Sequence, residues 1–313
     1  MNLSYWEYKS WLSNIDFTIV GSGIVGLNCA LELRKLHPEA KILVLEKGVL
    51  PQGASTKNAG FACFGSISEI LADLKTHSEE ELVGLVSDRW NGIQSLRELL
   101  GDTAIGYQEH GGHELFLNQD DGIYQNCIEN IGKANELLAP IFKEEVFRIS
   151  ENNFRFKGIQ QQYVSHILEG QIDTGKMMLS LLNLVQKSGI LILNSIAVEN
   201  FTESGNGVSV KTNLFEFSTK KLLIATNGFA NVLLDENVIP ARAQVVITKP
   251  IQNLHIKGAF HLQEGYYYFR NIDNRILLGG GRNLDFKTEE TSEFGNTSLV
   301  LNKLKELLRT VIL

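Results

Sequence analysis

Asp16-Phe17-Thr18-Ile19-Val20-Gly21-Ser22-Gly23-Ile24-Val25-Gly26 carries a short apolar run directly into a GxGxxG pattern. Asp16 to Val20 reads as a buried strand, residues 21 to 36 as a helix, and Lys41 to Glu46 as a second buried strand, which together make a βαβ unit. Each glycine has a physical task. Gly21 permits the tight turn, Gly23 lets the backbone approach a pyrophosphate, and Gly26, with Ala30 a turn later, lets helix and strand pack closely. The helix N-terminus then faces the phosphates. Glu46 ends the second strand 20 residues after Gly26, placed to accept hydrogen bonds from ribose hydroxyls and to repel a 2′-phosphate. Strand, glycines, helix, second strand and acid in register indicate dinucleotide binding, where a lone GxGxxG would not. The candidate contacts are Gly21, Ser22, Gly23, Ile24, Val25 and Gly26 in the turn, and Leu45, Glu46 and Lys47 at the strand end.

The chain around this unit has 313 residues, which favours two domains over one. Hydrophobic residues make up 43% and charged residues 21%, which excludes long disorder and low-complexity structure. The 29 basic and 36 acidic side chains give a net charge of −7 with no basic cluster, so a nucleic-acid or anionic-membrane partner is not expected. Neither a secretory leader nor a run long enough to span a bilayer is visible, and a cytoplasmic protein without an integral membrane segment is expected. Cys29, Cys63 and Cys127 match no zinc or CxxC spacing, so neither a disulfide framework nor a metal site is expected.

Ser4-Tyr5-Trp6-Glu7 has the form of a capping box and predicts a short helix packing its aromatics onto the body. Val49 to Gly65 loses periodicity and reads as a long loop. Helices are predicted over 68–100 and 120–138 with a strand at 113–117 between them, and a further helix runs from Asp173 to about Lys187. Strands are predicted at 190–195, 198–203, 207–217, 220–226, 243–248, 265–270 and 275–280, then a helix from about Thr297 to the end. The predicted fold is α/β, a Rossmann-like dinucleotide-binding domain over 1–66 and 160–235, which the next loop assigns to FAD, with a second, mixed-sheet α+β domain over 67–159 and 236–313.

The loop after the second strand separates FAD from NAD. Gly53-Ala54-Ser55-Thr56-Lys57-Asn58-Ala59-Gly60-Phe61 offers hydroxyls, an amide and backbone groups, as a cofactor with a polar ribityl chain requires. With Gly21 to Gly26 and Glu46, this stretch resembles the FAD-dependent D-amino-acid and amine oxidase family, which includes glycine oxidase, sarcosine oxidase, D-amino-acid dehydrogenase and γ-glutamylputrescine oxidase. The resemblance implies that Ser55, Thr56, Lys57, Asn58, Ala59, Gly60 and Phe61 run along pyrophosphate and flavin. It extends to Ala225-Thr226-Asn227-Gly228, similar to the family's second FAD contact, and to Val198, whose counterpart meets the adenine. Tyr266 to Arg270 and Ile276 to Arg282 resemble substrate-domain strands. Family chains usually continue into a Gly-rich segment covering the flavin pyrimidine edge. This chain stops at Leu313, so weakened FAD binding and poor turnover are expected of it.

The implied activity is oxidation of the C–N bond of an amino acid or small amine by hydride transfer to flavin N5, with oxygen, quinone or another carrier taking the electrons. Such chemistry needs an orienting pocket rather than a triad. Tyr266, Tyr268 and Arg270 alternate onto one strand face. Tyr266 takes the position of the family's substrate-facing tyrosine, and Arg270 has the geometry to pair with a carboxylate. Arg242, Arg282, His110 and His113 are weaker candidates, and Cys63 reads as a small apolar filler. Oxidation of a 2-hydroxy acid or polyol phosphate, and a non-catalytic nucleotide-binding accessory role, remain as alternatives.

Overall fold

The computed structural model describes residues 2–313. Two compact units are present, Met1–Asn58 with Thr174–Pro240 and Ala59–Asp173 with Ala241–Leu313. Residues 59–66 and 160–173, expected with the first unit, lie in the second because their strands pair there. Gln162–His166 lies between Gly112–Leu115 and Phe147–Glu151, and Phe61–Ala62 pairs with Gly170–Gln171. Residues 236–240 fall on the side of the first unit.

The first unit is built on Ile15–Val20, with Ile42–Glu46 parallel on one side and Glu216–Ile224 parallel on the other. Leu191–Asn194 extends the parallel run beyond Ile42–Glu46. Gly207–Thr212 and Val198–Ser204 then finish the six-stranded sheet antiparallel. Helices Ile24–Leu36 and Thr174–Lys187 pack on each other, and the latter buries Met177, Met178, Leu181 and Val185. The strand predicted over 207–217 is two strands, because the Thr212 hydroxyl accepts the amides of Leu214 and Phe215 and closes a turn. The capping box at Ser4 forms as predicted. Its aromatics do not pack inward: Tyr5, Trp6, Tyr8 and Trp11 are exposed, and only Leu12 is buried.

The second unit holds a seven-stranded sheet, in the order Gln244–Ile247, Arg275–Gly280, Tyr267–Ile272, Ala259–Leu262, Gly112–Leu115, Gln162–His166 and Phe147–Glu151. Only the pairing of Ala259–Leu262 with Gly112–Leu115 is parallel. One face packs against the helix Ser298–Leu307 through Phe260, Phe269, Val300 and Leu304. The helix predicted over 68–100 is broken into Ile67–Asp73 and Glu79–Leu100, since Ser78 caps the second piece with a box to Glu81. The helix predicted from 120 runs over Asp121–Phe142, with Pro140 in its last turn.

A buried carboxylate anchors the edge of this sheet. Glu289 is almost fully buried and accepts from Arg242 Nε at 2.8 Å, Arg242 Nη2 at 3.1 Å, Gln244 Nε2 at 2.8 Å and the Thr297 hydroxyl at 3.2 Å. Arg242 is therefore a structural ion-pair partner. It holds the Glu289 carboxyl below its ordinary pKa, so the stabilisation is present above the unfolded carboxylate value and is lost as pH falls through the folded one. Arg242→Leu leaves a buried unpaired charge and is expected to cost about 3–5 kcal/mol at pH 7 in urea unfolding. The gap to the parent should narrow as Glu289 protonates, and a gap unchanged at pH 4 would show that charge is not its source.

Candidate functional site

In the first unit the glycine turn admits no side chains where the chain folds back. Gly21 has φ 106°, and a Cβ there would lie 2.6 Å from the Ala225 carbonyl oxygen. A Cβ on Gly26 would fall on the Gly21 carbonyl oxygen. Gly23 is the N-cap of helix Ile24–Leu36 and contributes no capping side chain. The first amides of a helix lack intrahelical acceptors; here Ile24 N donates to Ser55 Oγ at 2.9 Å, which ties the following loop to the helix start. Val25 is exposed beside it.

Glu46 is buried and braces the turn from below. Its Oε2 accepts from Ser22 Oγ at 2.8 Å and Ser22 N at 3.2 Å, and Oε1 accepts from Gly48 N at 2.9 Å. A carboxylate has about four lone-pair sites, so capacity for a ribose hydroxyl remains. Leu45 O accepts from Gly21 N at 2.8 Å, and Lys47 Nζ lies over the Phe229 ring at 3.9 Å. On the neighbouring strand Ala225 N bonds Val20 O, Asn227 has φ 47°, and Gly228 lies against Pro240. Thr226 Oγ1 is buried with no hydrogen-bond partner. A cradle closed to side chains, a carboxylate with spare acceptor capacity and an orphaned hydroxyl suit a dinucleotide. Val198 is buried at the start of its strand.

The loop is partly ordered by its own hydrogen bonds, with Ala54–Lys57 forming a helical turn. Thr56 Oγ1 donates to Pro51 O at 2.6 Å, Lys57 Nζ to Gln52 O at 2.6 Å, and Asn58 Nδ2 to Ser55 O at 2.9 Å. Ala59, Gly60 and Phe61 belong to the second unit. Gly60 O accepts from Ile172 N and Arg270 Nη1.

In the second unit, strand register decides which side chains share a face. Tyr268 stands opposite His261, His261 opposite Glu114, and Gly112 opposite His166. Directly opposed residues point the same way, so Tyr268, Arg270, His261, Glu114 and His166 lie on one face and Tyr267 and Phe269 on the other. Arg270 is only 3% exposed; its Nη1 donates to Gly60 O at 2.8 Å and Ile172 O at 2.7 Å, and its Nε is buried without a partner. Burial lowers its pKa to about 10. Tyr266 is elsewhere: it precedes the strand, is 40% exposed and touches Phe286. Tyr268 therefore takes the place beside Arg270 that the alternation assigned to Tyr266 as well. Phe61 packs edge-on against both His261 and Tyr268, and a Cβ on Gly279 would collide with the Tyr268 ring.

The same face carries buried acids and imidazoles that no sequence spacing revealed. Glu169 Oε1 accepts from Phe64 N at 3.0 Å and Gly65 N at 3.4 Å. Its Oε2 faces His166 Nδ1 at 3.4 Å and His261 Nε2 at 3.7 Å. Burial pushes the Glu169 carboxyl up, but the facing imidazoles outweigh it and hold the group below the ordinary carboxylate range. Burial likewise opposes charge on His261, yet Glu169 raises it to about 9. Burial, then the Glu169 charge, pushes the Cys63 thiol well up. His166 ends the strand Gln162–His166 and Glu169 follows three residues later, a spacing with no chemical signature of its own. Of the histidines singled out from sequence, His110 is exposed, and His113 lies on the opposite face, bonded to Ser165 Oγ at 3.0 Å and packed on Phe260. Arg282 lies over the Phe286 ring.

A family model described as FAD dependent oxidoreductase (DAO) matches residues 16–312. The chain is 21% identical over 299 residues to a probable oxidoreductase, OrdL, of Haemophilus influenzae, covering 86% of this chain and 65% of that protein. It is 22% identical over 305 residues to the bifunctional protein ThiO/ThiG of a Synechocystis species, covering 89% of this chain and 40% of that protein. The chain thus spans less than two thirds of the length of either curated relative. Among solved structures, glycine oxidase from Geobacillus kaustophilus superposes with a TM-score of 0.68 at 18% identity, over 95% of this chain and 78% of that one. No helix among the described residues is long and apolar enough to cross a membrane.

Glu46→Ala removes three internal hydrogen bonds together with the acceptor expected to meet the ribose. Charge-assisted hydrogen bonds of about 1.5–3 kcal/mol correspond to a roughly ten- to hundredfold loss of FAD affinity. Titration of the stripped protein with FAD measures it, and an unchanged Kd would remove Glu46 from the nucleotide site.

Proposed function

The chain belongs to the DAO family of FAD-dependent oxidoreductases, and from that premise we propose that it oxidises the C–N bond of an amino acid or small amine. FAD is the family's cofactor and, when bound, accepts the hydride. In this reading the first unit binds the nucleotide: Ser22, Gly23 and Ile24 meet the pyrophosphate, Glu46 the ribose, and Thr226 and Val198 flank the adenosine end. Ser55 to Phe61 lead towards the flavin. The second unit supplies the substrate face.

The observation that carries the reading is Arg270. A guanidinium 3% exposed, with its Nε unpartnered and on the sheet face that also carries Tyr268, is a fixed positive charge in the interior. Such a site favours a substrate carboxylate, because a buried charge is costly until an anion pairs with it. Two of its donor bonds are spent on Gly60 O and Ile172 O, which orient the group rather than consume it. Phe61 and Tyr268 exclude water, and the Tyr268 hydroxyl is left to orient the amine. In this reading the electron acceptor is oxygen, quinone or another carrier.

Anaerobic mixing of the FAD-loaded protein with a panel of amino acids, plain amines and 2-hydroxy acids tests the proposal. Bleaching by amino acids is expected. Bleaching by hydroxy acids alone would assign the alternative oxidation, and a flavin that none of them bleaches would favour an accessory role. Within this site, Arg270→Lys should lose roughly tenfold or more in kcat/KM for carboxylated substrates relative to plain amines, as a bidentate-capable fork is replaced by a point charge. Tyr268→Phe should raise KM while Tyr266→Phe stays within about twofold of the parent, one hydrogen bond being worth about 1 kcal/mol. Equal losses at the two tyrosines would sink the assignment.

A further inference from the structure

We propose that Cys63, Glu169 and His261 form a binding site for a divalent cation of the zinc class. One ligand atom from each lies within 4.8 Å of the other two. Thiolate, carboxylate and imidazole suit a borderline-soft ion such as Zn²⁺ or Co²⁺ and are a poor set for Mg²⁺ or Ca²⁺. Bonds of about 2.0–2.3 Å place donors roughly 3.3–3.8 Å apart around a tetrahedral ion. His261 Nε2 and Glu169 Oε2 are already 3.7 Å apart. That separation is too long for a hydrogen bond, and both atoms are buried without a hydrogen-bond partner. Two orphaned polar atoms from side chains more than nine-tenths buried thus face one point, with a thiol beside them.

The surroundings hold the donors in place. Phe64 N and Gly65 N fix Glu169 through Oε1, which leaves Oε2 turned towards His261 and Cys63. Gly112 has no side chain where Oε2 lies, since a Cβ there would overlap it. Hydrogen bonds that orient a ligating carboxylate in this way typically govern metal affinity. His166 Nδ1, 3.4 Å from the same oxygen and also without a hydrogen-bond partner, backs the carboxylate. Three protein ligands leave the fourth position of a tetrahedral ion for water.

Binding is written as Cys–SH plus M²⁺ giving Cys–S–M⁺ plus H⁺, with the imidazole entering neutral and giving up any proton it carries. No redox change is involved. The ion would join the segments around Cys63, Glu169 and His261, three positions far apart in the chain, so loading should raise the melting temperature. The site lies in the second unit and does not rest on the flavin chemistry proposed above.

The full chain, treated with chelator and dialysed, is titrated with CoCl₂ and ZnCl₂ by calorimetry and absorption, with the flavin spectrum subtracted. One ion per chain is expected, with a thiolate-to-cobalt charge-transfer band and a higher melting temperature. Cys63→Ser should abolish the band and, like His261→Gln, weaken binding about tenfold or more. Cys29→Ala, outside the cluster, should change neither. No uptake by the parent, cobalt uptake without the thiolate band, or equal affinity in folded Cys63→Ser would overturn the proposal. The parent spectrum decides the matter even where a variant does not fold.

Discussion

Where Ile15–Val20 turns into helix Ile24–Leu36, three backbone segments meet with no room for a side chain at the contact. The Gly26 position abuts the Gly21 carbonyl, and the Gly21 position abuts the Ala225 carbonyl at the end of Glu216–Ile224. Two strands more than 190 residues apart and the helix between them in the βαβ unit are thereby brought within backbone distance. Larger residues there would push the helix off the sheet, and Gly21 also adopts a φ of 106° that L side chains rarely take. Glu46 then supports the turn from the adjacent strand through Ser22 and Gly48. The nucleotide reading, the sheet order and the loop from Ser55 all depend on this contact.

Buried carboxylates recur through the molecule, and each is satisfied differently. Glu46 takes backbone amides and a serine; Glu114 takes the amide and hydroxyl of Ser68; Glu169 takes two amides and faces imidazoles; Glu289 takes an arginine, a glutamine and a threonine. Glu289 pairs with a permanent cation and is structural in its chemistry. Glu114, lacking a facing cation within hydrogen-bond reach, has its pKa raised by burial. Among these four, Glu169 has an oxygen without a hydrogen bond, and that oxygen faces the imidazoles and the Cys63 thiol rather than a nucleotide turn.

The βαβ unit was legible in sequence because its signals are local: an apolar run, three glycines at fixed offsets and an acid at the next strand end. The Ser4 capping box was legible for the same reason, whereas the burial of its aromatics depends on tertiary contacts and went the other way. The break at Ser78 carried a recognisable box to Glu81, but helical periodicity on both sides masked it. Strand Ala259–Leu262 went unpredicted because four residues buried on both faces show no alternation. The second unit's polar face was illegible because it is made by register. His261 meets Glu114 and Tyr268 only through ladders joining distant strands. Arg270 was visible as a candidate, but its two carbonyl partners, Gly60 and Ile172, lie 210 and 98 residues away.

The three tryptophans are divided unevenly between environments. Trp6 and Trp11, in the first unit, are 67% and 45% exposed in the folded chain, whereas Trp90, in the second, packs edge-on against Phe64 and Phe142. Indole emission from the first two already comes from water, so it changes little when that unit unfolds. Trp90 emission comes from an apolar site and shifts when the helix Glu79–Leu100 leaves its core. Intrinsic fluorescence of this protein is consequently a reporter on one unit, and a fluorescence melting curve records the loss of the seven-stranded sheet's core while passing over the six-stranded one.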